Sequence, residues 1–583
     1  MARALALAAV LALAGPSLAY ATGKPKPLPA GLNPPSPRLT KAQATRIFLQ
    51  YPKVSSWLDR YPRTNRSVDT TFKKSVWTVS VWWGQAGEIA TGKLDDTSGA
   101  VTEAWTGPQV AWKMARGSPG AFGGKDVNSV PLWLGFCALF FLGLADLRRP
   151  LSLRNLDLLA LLSFSVSLWY FNRGDVFTSV PLAYPPMIYL LGRMVWSAGR
   201  GRLRTGAVPV WPVWALAAAA VFAGGFRIGL NLQSSNVIDV GYSGVVGADR
   251  IAHGQVPYGN FPIEGSRKAC GPADSEGEIR NRIQENGRCE SANPEGDTYG
   301  PVAYEAYLPG YAILGWSGKW DDLPAAHFSS IFFELLCVAG VALVGLRFGG
   351  TRLAVTLAFA WLAYPFTLYA SSSNTNDSLP PLFLIWGFWL VTSPAARGAA
   401  VALSGWTKFA PLVVAPLWAS YPEPLKRPRE KAIFVAAFLA ASAVAFSILL
   451  LDGHPLHAAH VFWSRTLGWQ IGRDSPFSLW DWRQYHAGLP DLQVVQRILE
   501  GLLIAGAIAA YFLPRRKSPL QLAALTAALL LGFQLVLTHW SYLYLPWFFP
   551  FAAFAVLAPV PERAPAPAYQ PLERPRQELV GVD

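Results

Sequence analysis

The chain has 583 residues, 52% of them hydrophobic and only 15% charged, a balance too apolar for an ordinary soluble protein and suited to one that crosses a membrane many times. Its formal charge of +14, from 50 Lys and Arg against 36 Asp and Glu, is not a signature of nucleic-acid binding here, because cytoplasmic loops of membrane proteins accumulate Lys and Arg. The 24 Trp and 20 Tyr suit the headgroup level of a bilayer, where amphipathic rings settle.

Met1 to Ala21 read as a secretory signal: Arg3, an apolar run, then Ala19-Tyr20-Ala21 as a small-x-small cleavage site. An uncleaved first membrane helix is the alternative, for which the run is short. Residues 22–129 contain no span and form a separate extracytoplasmic α+β domain. Within it, Thr40 to Leu49 has helical composition, ended by Tyr51-Pro52. Trp77 to Trp82 alternates like a half-buried strand, Glu88 to Leu94 makes a second, and Ala100 to Trp105 a third after the turn Asp95 to Gly99.

Residues 130–206 hold three spans: Val130–Ala145, Leu156–Phe171 and Phe177–Trp196. Arg148, Arg149 and Arg154, then Arg200, Arg202 and Arg204, mark the inner ends by the positive-inside rule. Residues 207–560 form a membrane core. Its first span, Val208–Leu230, emerges outside and gives way at once to polar residues ending in Asp239, so that this carboxylate is expected at the outer lipid–water boundary. An outer loop, 231–323, follows, with an amphipathic stretch from Tyr304 to Trp316. Further spans are expected at Ala325–Leu346, Leu353–Tyr369, Leu379–Val391, Ile433–Leu451, Leu492–Phe512, Leu520–Leu537 and Leu543–Leu557.

One segment breaks the count. Arg397 and the basic run Lys426 to Lys431 both belong inside, yet a single apolar stretch, Gly398 to Ser420, separates them. Two half-helices in a re-entrant hairpin, broken near Thr407 to Pro411, satisfy the charge rule. Lys408 then lies in or near a site. Residues 561–583, rich in Pro, Ala and Arg, read as a disordered cytoplasmic tail. The fold class is therefore a mainly α, polytopic membrane protein with a small α+β outer domain.

Cys137 and Cys337 fall inside apolar spans and read as packing residues. Cys270 and Cys289 share the outer loop and are candidates for a disulfide. Neither Cys/His metal spacing nor a nucleotide-binding GxxxxGK[ST] motif occurs, and no DxD lies in the outer loops. Nothing calls for a metal or another cofactor.

The stretches "NVIDVGYSGVVGADRIAHGQVPYGNFP", "DTYGPVAYEAYLPGY", "SSSNTNDSLPPL", "SGWTKFAPLVVAPLW" and "THWSYLYLPWFFPF" occur in that order. In order, spacing and sidedness they resemble integral-membrane GT-C glycosyltransferases, most closely the polyprenyl-phosphate-mannose-dependent family, glycosyltransferase family 87, over roughly residues 207 to 557. The helix and meander of residues 22–129 more weakly resemble a PepSY-type module, with a role in binding or regulation.

The first resemblance implies a GT-C-like core in the cell membrane and transfer of a mannose-like sugar, with inversion, from a polyprenyl-phosphate donor to an extracytoplasmic glycan or glycolipid acceptor. Asp239 is then the general base, and Lys408, Arg465 and His539 are candidates for the donor phosphate. Tyr258, Tyr299, Asn376 and Asp377 are candidates for substrate binding. The large insertion Phe261 to Asp297 and the three spans before Val208 lie outside the family pattern.

Plainer roles stand beside these. Asp239 also suits the N-cap of Val240–His253, and Asn376 and Asp377 the start of Leu379–Val391. Lys408 also suits snorkelling and His539 an aromatic belt. Arg465 and Arg473 lie in an outer loop against the charge bias, which suggests anion binding, although a solvated surface is the default for both. Asp249, next to Arg250, is an alternative base or one half of an ion pair. A transporter or flippase of a lipid-linked saccharide is the competing function, since a re-entrant hairpin suits substrate passage. No second copy of any segment is apparent, as paired repeats would require. A non-catalytic sensor fits less well, because the polar residues of a catalytic site are retained.

Overall fold

The computed structural model describes residues 36–200, 211–273, 278–486 and 488–558. The expected signal segment, the expected C-terminal tail and the start of the span expected from Val208 lie outside them. The chain divides into two compact units that meet in sequence between Trp105 and Thr106.

In the first unit, helix α1 (Lys41–Gln50) starts at Thr40, whose hydroxyl and the Gln43 side chain form a reciprocal capping box. Helix α2 (Pro52–Leu58) follows, with Pro at its first position. Strands β1 (Arg66–Lys73), β2 (Val76–Trp83), β3 (Gly87–Asp95) and β4 (Val101–Thr106) form one sheet in sequential order. Ala44 and Phe48 of α1 and Trp77, Val79, Val81, Ile89 and Leu94 of the sheet are its buried core. Strand β1 has no counterpart among the expected strands. It pairs antiparallel with β2 across a two-residue turn, Lys74-Ser75, in which both residues have positive φ, the backbone of a tight hairpin turn.

The second unit is almost entirely helical. The sequence assigned residues 106–129 to the outer domain, whereas the compact first unit ends at Trp105. Residues 107–129 form a strap fastened to the helical unit. Gln109 Nε2 donates to Gly174 O (2.9 Å), Asn128 Oδ1 accepts from Asn172 Nδ2 (2.8 Å), and Gly120 O accepts from Asn236 Nδ2. Helices α3 (Val130–Leu144), α4 (Leu153–Phe171), α5 (Val176–Arg200) and α6 (Val213–Ser234) come next, then α7 (Asp239–Ala252). Helix α8 (Pro324–Ala363) covers most of two expected spans in one run, bent where Gly350 adopts φ 69°. Among the described residues, five helices are long and apolar enough to cross a membrane: Val213–Ser234, Pro324–Ala363, Pro428–Asp452, Gln493–Phe512 and Pro519–Val536.

After α9 (Pro365–Ser372) and α10 (Leu379–Trp389), helix α11 (Pro394–Gly405) stops at Trp406, a 3₁₀ turn spans Ala410–Val414, and α12 (Ala415–Ala419) completes the segment. Arg397, 1% exposed, donates from Nε to Trp418 O (3.1 Å) and from Nη2 to Tyr421 O (2.9 Å). The end of this segment thus returns to its beginning, as in a broken hairpin. The last helices are α13 (Pro428–Phe446), α14 (Pro455–Trp463), α15 (Gln493–Phe512), α16 (Pro519–Val536) and α17 (Leu545–Leu557).

The long loop is tied by the Cys270–Cys289 disulfide beside a small antiparallel pair, β5 (Asn281–Ile283) and β6 (Cys289–Ser291). Asp249 is fully buried there. It accepts from Arg250 (2.7 Å), Arg288 (2.9 Å) and the Tyr311 hydroxyl (2.8 Å), while Arg250 also pairs with buried Glu290. So occupied a carboxylate is an anchor for the loop rather than a base.

Candidate functional site

Asp239 is the first residue of α7. Ile238 takes the N-cap position and makes no side-chain cap bond. Asp239 is exposed at the surface, yet dense protein lies around its carboxyl group. A residue that is exposed and densely surrounded lines a cleft. Tyr299, His539 and Tyr544 combine partial accessibility with the same dense surroundings.

Two elements hold Asp239 in place. Asn231, near the end of α6, donates from Nδ2 to Ser371 O (2.8 Å) and Asn374 Oδ1 (2.9 Å). Asn374 in turn donates to Ser235 Oγ (2.8 Å) and Asn236 O (2.9 Å). Asn374 has φ 52°, a conformation that asparagine tolerates better than most residues. Gly241 packs so closely on this turn that a Cβ would lie 2.0 Å from Asn374 O.

Burial is the main influence on Asp239 and raises its pKa. The Val240 amide, Arg473 and Lys408 act against it, and Asp377 adds to it. The cleft therefore gathers two cations and a second carboxylate around the base candidate. Lys408 Nζ lies 2.6 Å from Asp377 Oδ1, with both side chains buried. Trp547 Nε1 donates to the same oxygen (3.2 Å). The Lys408 ammonium also stands 5.1–5.6 Å from the ring centres of Tyr299, Tyr544 and Trp547, within cation–π reach.

Lys408 occupies the break between α11 and the 3₁₀ turn. There the carbonyls of Trp406 and Thr407 accept from the amides of Val302 (3.2 Å) and Gly300 (3.3 Å). A loop from the other side of the sequence thus caps the broken helix and carries Tyr299 to the ammonium.

His539 Nδ1 is 2.9 Å from Ser475 Oγ, and that oxygen also accepts the Phe477 amide (3.3 Å). Burial first, then Arg473 and Lys408, keep the imidazole pKa well below its usual range, so the ring is neutral at physiological pH. Arg473 has no carboxylate partner among the described residues. Its guanidinium lies 4.6 Å from the Trp469 ring and 5.5 Å from the Trp112 ring. Trp112 packs against His539 at 5.7 Å.

The structure thus brings together Asp239, Tyr299, Asp377, Lys408 and His539 from the sequence candidates. Arg465 is committed elsewhere: its Nε donates to Asp297 Oδ2 (2.8 Å), and Nη2 to Oδ1 (2.5 Å) of the same carboxylate. Tyr258 is 2% exposed and supports Tyr299 from behind, donating its hydroxyl to Tyr299 O (3.1 Å). Asn376 is fully buried, and the helix start is capped by Thr375, whose hydroxyl accepts from Asp377 N. Sequence reasoning missed Trp112, Asn374, Tyr544 and Trp547, and put surface charge ahead of anion binding for Arg473. Trp469, four residues before Arg473, was the available signal for the last.

The arrangement offers an exposed carboxylate residue for proton transfer, a guanidinium with no salt bridge among the described residues, and an imidazole beside it. Comparison with protein-family models, curated proteins and solved structures gives no match.

Proposed function

We propose that this chain is an integral-membrane GT-C-type glycosyltransferase. It transfers a mannose-like sugar from a polyprenyl-phosphate donor to a glycan or glycolipid acceptor outside the cytoplasm. The observation that carries this reading is an accessible carboxylate deep in a cleft, Asp239, within electrostatic reach of Arg473 and Lys408.

In this reading the acceptor hydroxyl attacks the anomeric carbon while Asp239 takes its proton. The bond from that carbon to the phosphate oxygen breaks, and the carbon inverts. The leaving lipid phosphate gains negative charge, which Arg473 stabilises. Lys408 contributes less, because Asp377 already balances it. The arginine-rich ends at Arg148, Arg149 and Arg515 to Lys517 favour a cytoplasmic side opposite the cleft.

Purified protein in lipid nanodiscs, with radiolabelled polyprenyl-phosphate-mannose and a membrane-extract acceptor, tests the proposal. Asp239→Asn should lower transfer by roughly 100- to 10,000-fold; transfer at the wild-type rate rules the base out. A base must be ionised, and burial raises the Asp239 pKa. The rate should therefore climb with pH through a midpoint above the ordinary carboxylate value. The broken hairpin around Lys408 also suits a flippase of lipid-linked saccharides. Translocation of a fluorescent lipid phosphate-sugar, unaffected by Asp239→Asn and without a glycosylated product, would favour that instead.

A further inference from the structure

Arg465 and Arg473 are held in opposite ways. Asp297 grips Arg465 and cancels its charge. The Arg473 guanidinium stands over two indole rings, 4.6 Å from Trp469 and 5.5 Å from Trp112, and its enclosed Nε has no hydrogen-bond partner among the described residues. Aromatic faces orient a guanidinium without neutralising it, so its charge stays available to an anion.

Trp112 is itself fixed. Its Nε1 donates to the Tyr485 hydroxyl (3.1 Å), and its ring meets Phe477 nearly edge-on at 5.6 Å. The strap that carries it is packed tightly at two points. Gly117 has φ 71°, and a Cβ there would lie 2.2 Å from Gly174 N. Gly124 has φ 87°, and a Cβ there would lie 1.9 Å from Ser234 O. Gly120 O accepts from Asn236, three residues before Asp239. One strap therefore touches the arginine wall of the cleft and the segment leading into the carboxylate.

We infer that Trp112, supplied by the strap before the membrane core, is a positioning residue that holds the Arg473 guanidinium toward the leaving phosphate. The inference rests on the reading of Arg473 as the phosphate's cation. It gives residues 107–129 a part in the site.

Farnesyl phosphate binding to the full-length protein in detergent tests it, with farnesol as the uncharged control. Arg473→Ala should weaken farnesyl phosphate binding by roughly 100-fold, Trp112→Ala by roughly tenfold, and Trp112→Phe, which keeps an aromatic face, by no more than about threefold. Because Trp112 acts through Arg473, the double variant Trp112→Ala/Arg473→Ala should bind no more weakly than Arg473→Ala alone. Should Trp112→Ala fail to fold, Trp112→Leu keeps the bulk without the aromatic face and carries the same expectation.

Losses that add in the double variant, or wild-type binding by Trp112→Ala while Arg473→Ala is impaired, overturn the positioning role alone. Wild-type protein that does not bind the probe, or that binds farnesol equally, overturns the phosphate site and with it the positioning role. Wild-type binding by Arg473→Ala does the same.

Discussion

At the scale of single residues, the site depends on which charges are already paired. Arg465 and Arg473 are eight positions apart and looked alike in sequence. The partner that separates them, Asp297, lies 168 positions from Arg465, beyond the reach of local pattern. Transfer should therefore fall at least tenfold in Arg473→Ala and stay within about threefold in Arg465→Ala, as measured in the nanodisc assay; equal losses would contradict the assignment. Asp239 drew attention in the sequence because a carboxylate nine residues beyond a membrane-length apolar run is conspicuous, and the structure sets it within electrostatic reach of Arg473 and Lys408. The Asp377–Lys408 pair was not, although each residue was singled out. Removing one partner of a buried pair typically costs about 3–5 kcal/mol, and removing both costs less. Asp377→Ala should thus lower the thermal midpoint in detergent more than Asp377→Asn/Lys408→Met does. The reverse order would mean that the two groups do not depend on each other.

At the scale of elements, the broken hairpin was readable and its cap was not. Basic residues at both ends of a single apolar stretch, with Pro411 inside it, forced a break near Lys408. That Gly300 and Val302 would satisfy the carbonyls of Trp406 and Thr407 had no local sign. The contact leaves no space: a Cβ on Gly300 would lie 2.0 Å from Trp406 O. Gly300→Ala should destabilise the protein by about 1–3 kcal/mol and reduce transfer more than stability alone explains, since Tyr299 moves with it. Thermal unfolding and the transfer assay together check this; unchanged values in both would contradict the cap. Strand β1 was invisible for a different reason. Its hairpin turn is Lys74-Ser75, lacking the Gly or Asn that usually announces one. Residues 106–129 went with the outer domain in the sequence because they contain no span, and their packing against Gly174 and Ser234 had no local sign.

At the scale of the whole molecule, the membrane-length helices were the most legible feature, since long apolar runs need little tertiary context. Sidedness is a matter of experiment, and the Cys270–Cys289 disulfide provides a reporter. Disulfides persist in oxidising compartments and are rare in the cytosol. If the loop that follows Asp239 is extracytoplasmic, protein from intact cells should show a mobility shift on reduction, and its two loop thiols should resist alkylation beforehand. Free thiols at both positions would place the loop, and Asp239 with it, on the cytosolic side.

Trp112 and its hydrogen-bond partner Tyr485 are 373 positions apart. At about 5–20 residues per second of synthesis, the indole leaves the ribosome on the order of tens of seconds before the hydroxyl oxygen that accepts its hydrogen bond. Nascent chains halted short of Tyr485 should already contain most membrane helices yet lack the finished arginine wall. The earliest part of this unit to be made is among the last to be locked.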